Sequence, residues 1–352
     1  MIELRSDNAA GVAPEILAAI EAANVGSDLA YGDDALTARL HEIVREVFEH
    51  PTARVFPVTS GTAANSLSIS SLTPPWGAVL CHPTAHIITA EGGSTSLMGA
   101  GAVMQGVDGD HALIDPDRLR ARLDATRWGD PHESQPSVLS LTVPSDEGTL
   151  YRPEQVAELV EVVRPRGLRV HMDGARLANA LVSLGCSPAD LTWRAGVDVL
   201  SLGAIKNGAL GADAIVAFDD AAAEELVYRT KRSGHVTSKM RFQSAQLAAY
   251  LTDGLWLRLA AHSNQRMAEL VAGLEPLAAS GVRLLERVDV NMAFVELSAA
   301  AADRLPDAGI LCYRMTETSV RLVTSWQTTA DDVASAVDGF RRACEASADQ
   351  DR

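Results

Sequence analysis

The chain has 352 residues, which at ~150 residues per domain suggests about two domains, and its 47% hydrophobic content can fill a sizeable core. Charged residues make up 22% and aromatics 5%, a globular profile rather than a disordered or coiled-coil one. Thirty basic residues against 46 acidic ones give a formal net charge of −16, a field that opposes any sequence-independent grip on nucleic acid or an anionic membrane. Cys81, Cys186, Cys312 and Cys344 lie far apart with no CxxC pair, so neither a zinc knuckle nor a disulfide scaffold is expected. The opening Met1-Ile2-Glu3-Leu4-Arg5-Ser6-Asp7 is charged at once with no apolar run behind it. These features predict a soluble, cytoplasmic protein.

In chain order, helical spacing is predicted over 14–24, 35–49 and 63–72. Residues 55–90 contain no Asp, Glu, Lys or Arg, but Pro57, Pro74, Pro75, Gly61 and Gly77 interrupt the run. A membrane helix needs about 20 predominantly apolar residues, so the run predicts a buried middle layer instead. Buried strands are predicted at 78–81, 138–143, 169–173, 197–202 and 213–218, with helices at 154–163 and 175–184 between them. Such alternation predicts a mostly parallel sheet covered by helices on both faces. After about residue 250 the texture changes to a long helix over 256–277 and strands at 283–285, 292–297, 310–313 and 320–324. A short helix at 299–305 divides those strands, and a terminal helix begins near Thr329. The expected division is a large domain over 1–250 and a small α/β domain with an antiparallel sheet over 251–352, its last residues 345–352 frayed.

Four local features carry chemistry. Thr59-Ser60-Gly61-Thr62 runs from a strand end into a helix, which makes either an ordinary capped turn or a phosphate site built on free N–H groups. His171-Met172-Asp173-Gly174-Ala175-Arg176 sets an aspartate at the carboxyl end of a buried strand, where open α/β sheets bind ligands; an Asp–Arg ion pair is the alternative. Gly203-Ala204-Ile205-Lys206-Asn207-Gly208 holds one of only three lysines, the others being Lys231 and Lys239. It is either a solvated loop lysine or a desolvated nucleophile. Arginine cannot replace it as a Schiff-base amine. His86 lies in the charge-free stretch, as a core group or as a functional one. A phosphate cradle, an aromatic neighbour, an aspartate and a lysine together are what pyridoxal 5′-phosphate needs: its aldehyde condenses with the amine, and a carboxylate keeps its pyridine nitrogen protonated.

On Ser6-Asp7-Asn8, Ser60-Gly61-Thr62, the run from His171 to Ala180 and the lysine loop, the sequence resembles the L-threonine aldolase (β-eliminating lyase) family. The resemblance spans nearly the whole chain. It implies an α/β, fold-type-I, aspartate-aminotransferase-like architecture with a mostly parallel seven-stranded sheet, and pyridoxal 5′-phosphate as cofactor. It also implies retro-aldol cleavage of L-threonine, L-allo-threonine and related L-β-hydroxy-α-amino acids to glycine and an aldehyde. The partner surface it implies is a second copy of the chain, with sites at a dimer interface within a tetramer. By resemblance Lys206 carries the cofactor, Asp173 pairs with the pyridinium and His86 stacks on the ring. Ser60, Gly61 and Thr62, with Arg241, hold the phosphate. Ser6, Arg176 and Arg321 hold the substrate carboxylate, with Arg176 near the cofactor as well. His132 lies near the β-hydroxyl, and Asp33 lies in an active-site loop. Either His86 or His132, or a water one of them orients, is the expected base. Two departures are visible: Thr324-Ser325-Trp326-Gln327 where the family often has Thr-His-Leu-Asp, and Ile205 where it often has Thr or Ser before the lysine.

Other readings make different demands. A nucleotide-binding module needs a GxGxxG turn after the first strand, and residues 99–101 give only Gly-Ala-Gly. Elimination, transamination and racemisation share the same electron sink and differ only in which substrate bond is broken.

Overall fold

The computed structural model describes residues 1–348; of the expected frayed tail, 349–352 lie outside the described residues. In chain order the strands are β1 (Ile2–Glu3), β2 (Arg54–Val58), β3 (Gly77–Cys81), β4 (Val103–Gly106), β5 (Gln135–Thr142), β6 (Arg169–Gly174) and β7 (Val199–Leu202). There follow β8 (Asp213–Ala217), β9 (Arg283–Leu284), β10 (Met292–Glu296), β11 (Ile310–Leu311), β12 (Tyr313–Arg314) and β13 (Ser319–Val323).

Seven of these form the central sheet in the order β2-β8-β7-β6-β5-β3-β4. All neighbours are parallel except that β8 runs against both β2 and β7, which is the mostly parallel sheet predicted. Strands β3, β7 and β8 are buried at every position, because helices cover both faces and an unbroken apolar run is what such a strand requires. The charge-free stretch supplies β3 and the helix Gly61–Leu72, whose Ser66, Ser68 and Ser70 are all buried. In β6, Asp173 pairs with Thr142 on one side and Ser201 on the other, so three strands end level with one another.

A second, four-stranded antiparallel sheet has the order β12-β13-β10-β9, and β1 pairs in parallel with β11. The single strand predicted over 310–313 is two strands: Ile310–Leu311 bonds to the start of the chain, while Tyr313–Arg314 joins β13. Cys312 is the break, because two different sheets claim the backbone on either side of it. The basic stretch from Arg229 to Arg241 closes the helix Asp220–Arg232, where cations suit the negative end of the dipole, and then opens the helix Arg241–Leu251. Four apolar clusters result among the described residues, two of them large. The larger surrounds the central sheet, and the smaller gathers Met267, Leu270, Val295, Leu322 and Phe340 with Leu4 from the N-terminal segment.

Candidate active site

The level ends of β5, β6 and β7 form the floor of a cavity of about 310 Å³, near the lower end of the ~300–1,000 Å³ range for small-molecule sites. Asp173 lies in this floor, 3% exposed. Its Oδ1 accepts the N–H of Ala175 (3.0 Å) and its Oδ2 accepts the Asn65 amide (2.9 Å). Two residues earlier on the same strand, His171 is wholly buried between Ser140 and Ser201 at 2.9 Å each. Burial pushes its imidazole down to about 4, so it is a neutral tie between three strands.

Lys206 lies in a single helical turn, Ile205–Asn207, directly after β7. Gly203 allows that loop to pass the β6 turn: a Cβ there would stand 2.3 Å from the Ala175 carbonyl oxygen. Gly208 ends the turn at φ +107°, which L residues rarely adopt. The buried Asp213 accepts the N–H groups of Ala204 (2.7 Å) and Ile205 (3.0 Å). Asn207 donates to Tyr250 Oη (2.9 Å) and to the Trp256 carbonyl (2.8 Å). The loop is therefore held at both ends while no hydrogen bond or ion pair engages the Lys206 ammonium among the described residues. Burial, with the Arg176 charge nearby, lowers its proton affinity from the ordinary lysine value, the direction a nucleophilic amine needs.

At one side the helix Gly61–Leu72 begins. Ser60 is its N-cap, its Oγ accepting the Ala63 N–H at 3.2 Å. The N–H groups of Gly61 and Thr62 have no partner within the helix, and a Cβ on Gly61 would meet only Asp213 Oδ2, at 3.8 Å. This is room for an anion. On the same helix Asn65 donates twice from one nitrogen, to Asp173 and to Glu91 Oε1 (2.7 Å), and its Oδ1 is buried without a partner. Glu91 Oε1 also meets His86 Nδ1 at 2.9 Å. That hydrogen bond, resisted by burial, raises the imidazole above its usual value.

Ser6, Ser60, Gly61, Thr62, His86, Asp173, Arg176, Lys206 and Arg321, singled out from the sequence, all line this cavity. Their relations differ from expectation at Arg176. Its Nε and Nη2 are bound to Asp7 at 2.6 and 2.9 Å, so the guanidinium expected to grip a carboxylate of the substrate already grips one from the N-terminal segment. Asp7 also accepts from Asn291 (3.1 Å). Burial alone would raise its carboxyl, but Arg176 outweighs this and holds it below the usual range. The arginine of this cavity with no carboxylate partner among the described residues is Arg321, half-buried, with one Nη on the Arg5 carbonyl and its plane near the Tyr313 ring.

Three other expected residues do not line the cavity. His132 is exposed in the turn before β5. That turn closes on itself through Gln135, which donates to the carbonyls of Arg127, Asp130 and Glu133. Since β5 runs from Gln135 to Thr142, His132 stands at the far edge of the sheet, seven steps of about 3.3 Å from the site. Asp33 and Arg241 share a different surface, where the Tyr31 N–H meets the Ser238 carbonyl and Arg241 reaches the Gly26 carbonyl at 3.5 Å. Sequence reasoning missed Asn65, Glu91, Asp146 and Asp213, all of which line the cavity.

A strand-end carboxylate, a buried lysine in the turn after the next strand and an open helix N-terminus at one mouth define an enzyme of the aspartate-aminotransferase fold class. A Thermus thermophilus aspartate aminotransferase matches 97% of the chain and 92% of its own at a TM-score of 0.70 and 17% identity, a likeness of fold alone. The Leishmania major threonine aldolase matches at a TM-score of 0.89 and 26% identity, covering 97% of this chain and 98% of that one. The low specificity L-threonine aldolase of Pseudomonas sp. (strain NCIMB 10558) is 39% identical over 330 residues, 93% of each chain. The beta-eliminating lyase family model matches residues 3–320. The chain belongs to the beta-eliminating lyase family, and its cofactor is pyridoxal 5′-phosphate. The residues fit that group: an unengaged buried amine, a carboxylate beneath the cavity, an imidazole beside it and free N–H groups with space for a phosphate.

Proposed function

We propose that the chain cleaves L-threonine, L-allo-threonine and related L-β-hydroxy-α-amino acids to glycine and an aldehyde. The observation that carries this reading is one cavity lined by Lys206, Asp173, the start of the helix Gly61–Leu72 and the free cation Arg321. The likeness to named threonine aldolases over almost the whole chain supports it. When bound, pyridoxal phosphate supplies an electron sink conjugated with the substrate Cα.

In this reading Lys206 is the amine that binds the cofactor covalently and Asp173 is the counter-charge to its ring nitrogen. Ser60, Gly61 and Thr62 hold the phosphate, and His86 lies along the ring face. Arg321 grips the substrate carboxylate through two parallel N–H donors, with Ser6 beside it, and so fixes which bond at Cα is broken. Arg176 keeps Asp7, and with it the N-terminal wall of the site, in position. The test is a panel of threonine, allo-threonine, phenylserine and serine scored for glycine and aldehyde. Ammonia and a keto acid as the products instead would show elimination and sink the reading.

The working form we propose is a homotetramer built from dimers, each large lobe (1–250) and small lobe (251–352) framing a site that a second copy completes. Asp33 and Arg241 support this, because the family resemblance assigns them to a site whose cavity they do not line in their own chain. Tyr31 beside them has φ +64°, a strained value of the kind retained at functional positions. Mass by light scattering tests it, and a fully active monomer would overturn it. Four free cysteines support the cytoplasm as the compartment.

A further inference from the structure

We propose that Asp146 accepts the proton of the substrate β-hydroxyl. This rests on the retro-aldol reading above and assigns its base. Asp146 sits in the turn after β5, on a frame closed by Ser145, whose N–H meets the Thr149 carbonyl at 2.9 Å and whose Oγ meets Thr149 Oγ1 at 2.7 Å. The frame turns the Asp146 side chain into the cavity that Lys206, Asp173, His86 and Arg321 also line. Its Oδ2 accepts the backbone N–H of His86 at 3.2 Å, and no other hydrogen bond or ion pair engages the carboxyl among the described residues. A carboxyl half-buried in an active-site wall, with one oxygen uncommitted, is placed to take a proton from a bound ligand.

The competing bases are weaker candidates. His132 lies at the opposite edge of the sheet. His86 has its Nδ1 committed to Glu91 at 2.9 Å, a hydrogen bond that, against burial, raises its proton affinity above the usual imidazole value. Asp146 is moved in a useful direction: burial, then the Asp173 charge, push its carboxyl up to about 6, against the pull of His86, Lys206 and Arg176. With Arg321, which also feels the Asp146 charge across the cavity, these are the charged groups that face it from the neighbouring elements. A base that titrates near 6 is ionised at pH 7 yet far more basic than an ordinary aspartate.

The step balances within the enzyme. The hydroxyl O–H bond breaks and its proton passes to Asp146. The oxygen forms the aldehyde C=O as the Cα–Cβ bond breaks, and pyridoxal phosphate, when bound, would supply the sink for that electron pair. The pair returns to Cα, which takes up one proton to give glycine, so a single proton has moved from oxygen to carbon.

The test compares wild type, Asp146→Asn and Asp146→Glu as holoenzymes. Exchange of the glycine α-proton in heavy water needs the cofactor, Lys206 and Arg321 but no hydroxyl base. Asp146→Asn is expected to lose roughly 10²- to 10⁴-fold in kcat/KM for threonine, while cofactor affinity, the spectral shift on adding glycine and glycine exchange stay near wild type. Asp146→Glu recovers part of the loss, and the acid limb of the wild-type profile, centred near pH 6, disappears in Asp146→Asn. Near-normal cleavage by Asp146→Asn, or equal loss of cleavage and exchange, overturns the role alone. A wild-type enzyme that exchanges glycine but cleaves no β-hydroxy amino acid overturns the role and the proposed function together.

Discussion

The carboxylate of Glu91 lies 2.9 Å from His86 Nδ1 and is fully shielded from solvent, while the imidazole is 40% exposed. The hidden partner thus fixes the exposed one: Nδ1 carries the hydrogen toward Glu91, and Nε2 is left for the cavity. Glu91→Gln should lower the His86 titration midpoint, because the hydrogen bond to an anion is its largest raising influence. Side-chain nitrogen NMR of the histidines reads this directly. The sign of the stability effect follows from the raised folded value: the pair's contribution is present below pH ~6.5 and fades as pH rises through the folded midpoint. Wild type and Glu91→Gln should therefore converge in stability at alkaline pH, and a gap that widens there contradicts the pairing.

Lys206 should be the only lysine labelled when the cofactor linkage is reduced with borohydride and the peptides are mapped. Lys231 lies over the Tyr31 ring at 4.5 Å, on the other surface. A pyridoxyl group on Lys231 or Lys239 would remove Lys206 from the site.

Asp173→Asn should retain cofactor, since the amide oxygen keeps one of the two bonds from Asn65 and Ala175, but turnover should fall by orders of magnitude as the ring nitrogen loses its counter-charge. Absorbance measures occupancy and glycine release measures turnover. Full turnover would mean that the nitrogen is partnered elsewhere.

Breaking the Asp7–Arg176 pair should cost about 3–5 kcal/mol, because Asp7→Ala leaves a buried guanidinium uncompensated. Urea unfolding of Asp7→Ala, Arg176→Met and the double variant measures the coupling. The Asp7 carboxyl is held low, so its contribution is present above the ordinary aspartate value of about 3.9 and is lost as pH falls through the folded one. Additive single losses would deny the pair.

His132→Phe should leave kcat/KM for both threonine and allo-threonine nearly unchanged, since its turn stands at the far edge of the sheet. Loss of threo/erythro discrimination would mean that His132 of a second copy reaches the site.

Residues whose roles depend on local geometry are legible in the amino-acid sequence alone. Asp173 and Lys206 follow apolar strands, Ser60 caps a helix, and each signal is complete within a few positions. The central strands are legible for the same reason, whereas the edge strand Val103–Gly106, partly exposed along its length, carries too little apolar pattern to announce itself. What the sequence hides are pairings made by the fold. Arg176 reads as a substrate ligand until Asp7, 169 positions away, is found in its fork. Asn65 and Glu91 look like ordinary helix and loop residues until β6 brings Asp173 within reach of the Asn65 amide, which also holds Glu91. Ser145-Asp146-Glu147-Gly148 reads as any polar turn. His132 has only family resemblance behind it, and nothing in its own surroundings ties it to chemistry.

The pairing of the first strand with Ile310–Leu311 bears on how the chain is made. The Ile2 N–H waits for the Gly309 carbonyl and the Leu4 carbonyl for the Val323 N–H, so the segment that delivers Asp7 to Arg176 cannot dock until residues 309 to 323 have been made. At about 5–20 residues per second the stretch from Arg176 to Gly309 takes roughly 7–27 s, during which Arg176 lacks its counter-ion and one wall of the cavity is open. Nascent chains stalled before residue 309 are expected to leave this N-terminal segment open to protease, and chains released past residue 323 to protect it. Equal protection at both stall points would mean that the segment docks without its strand partner.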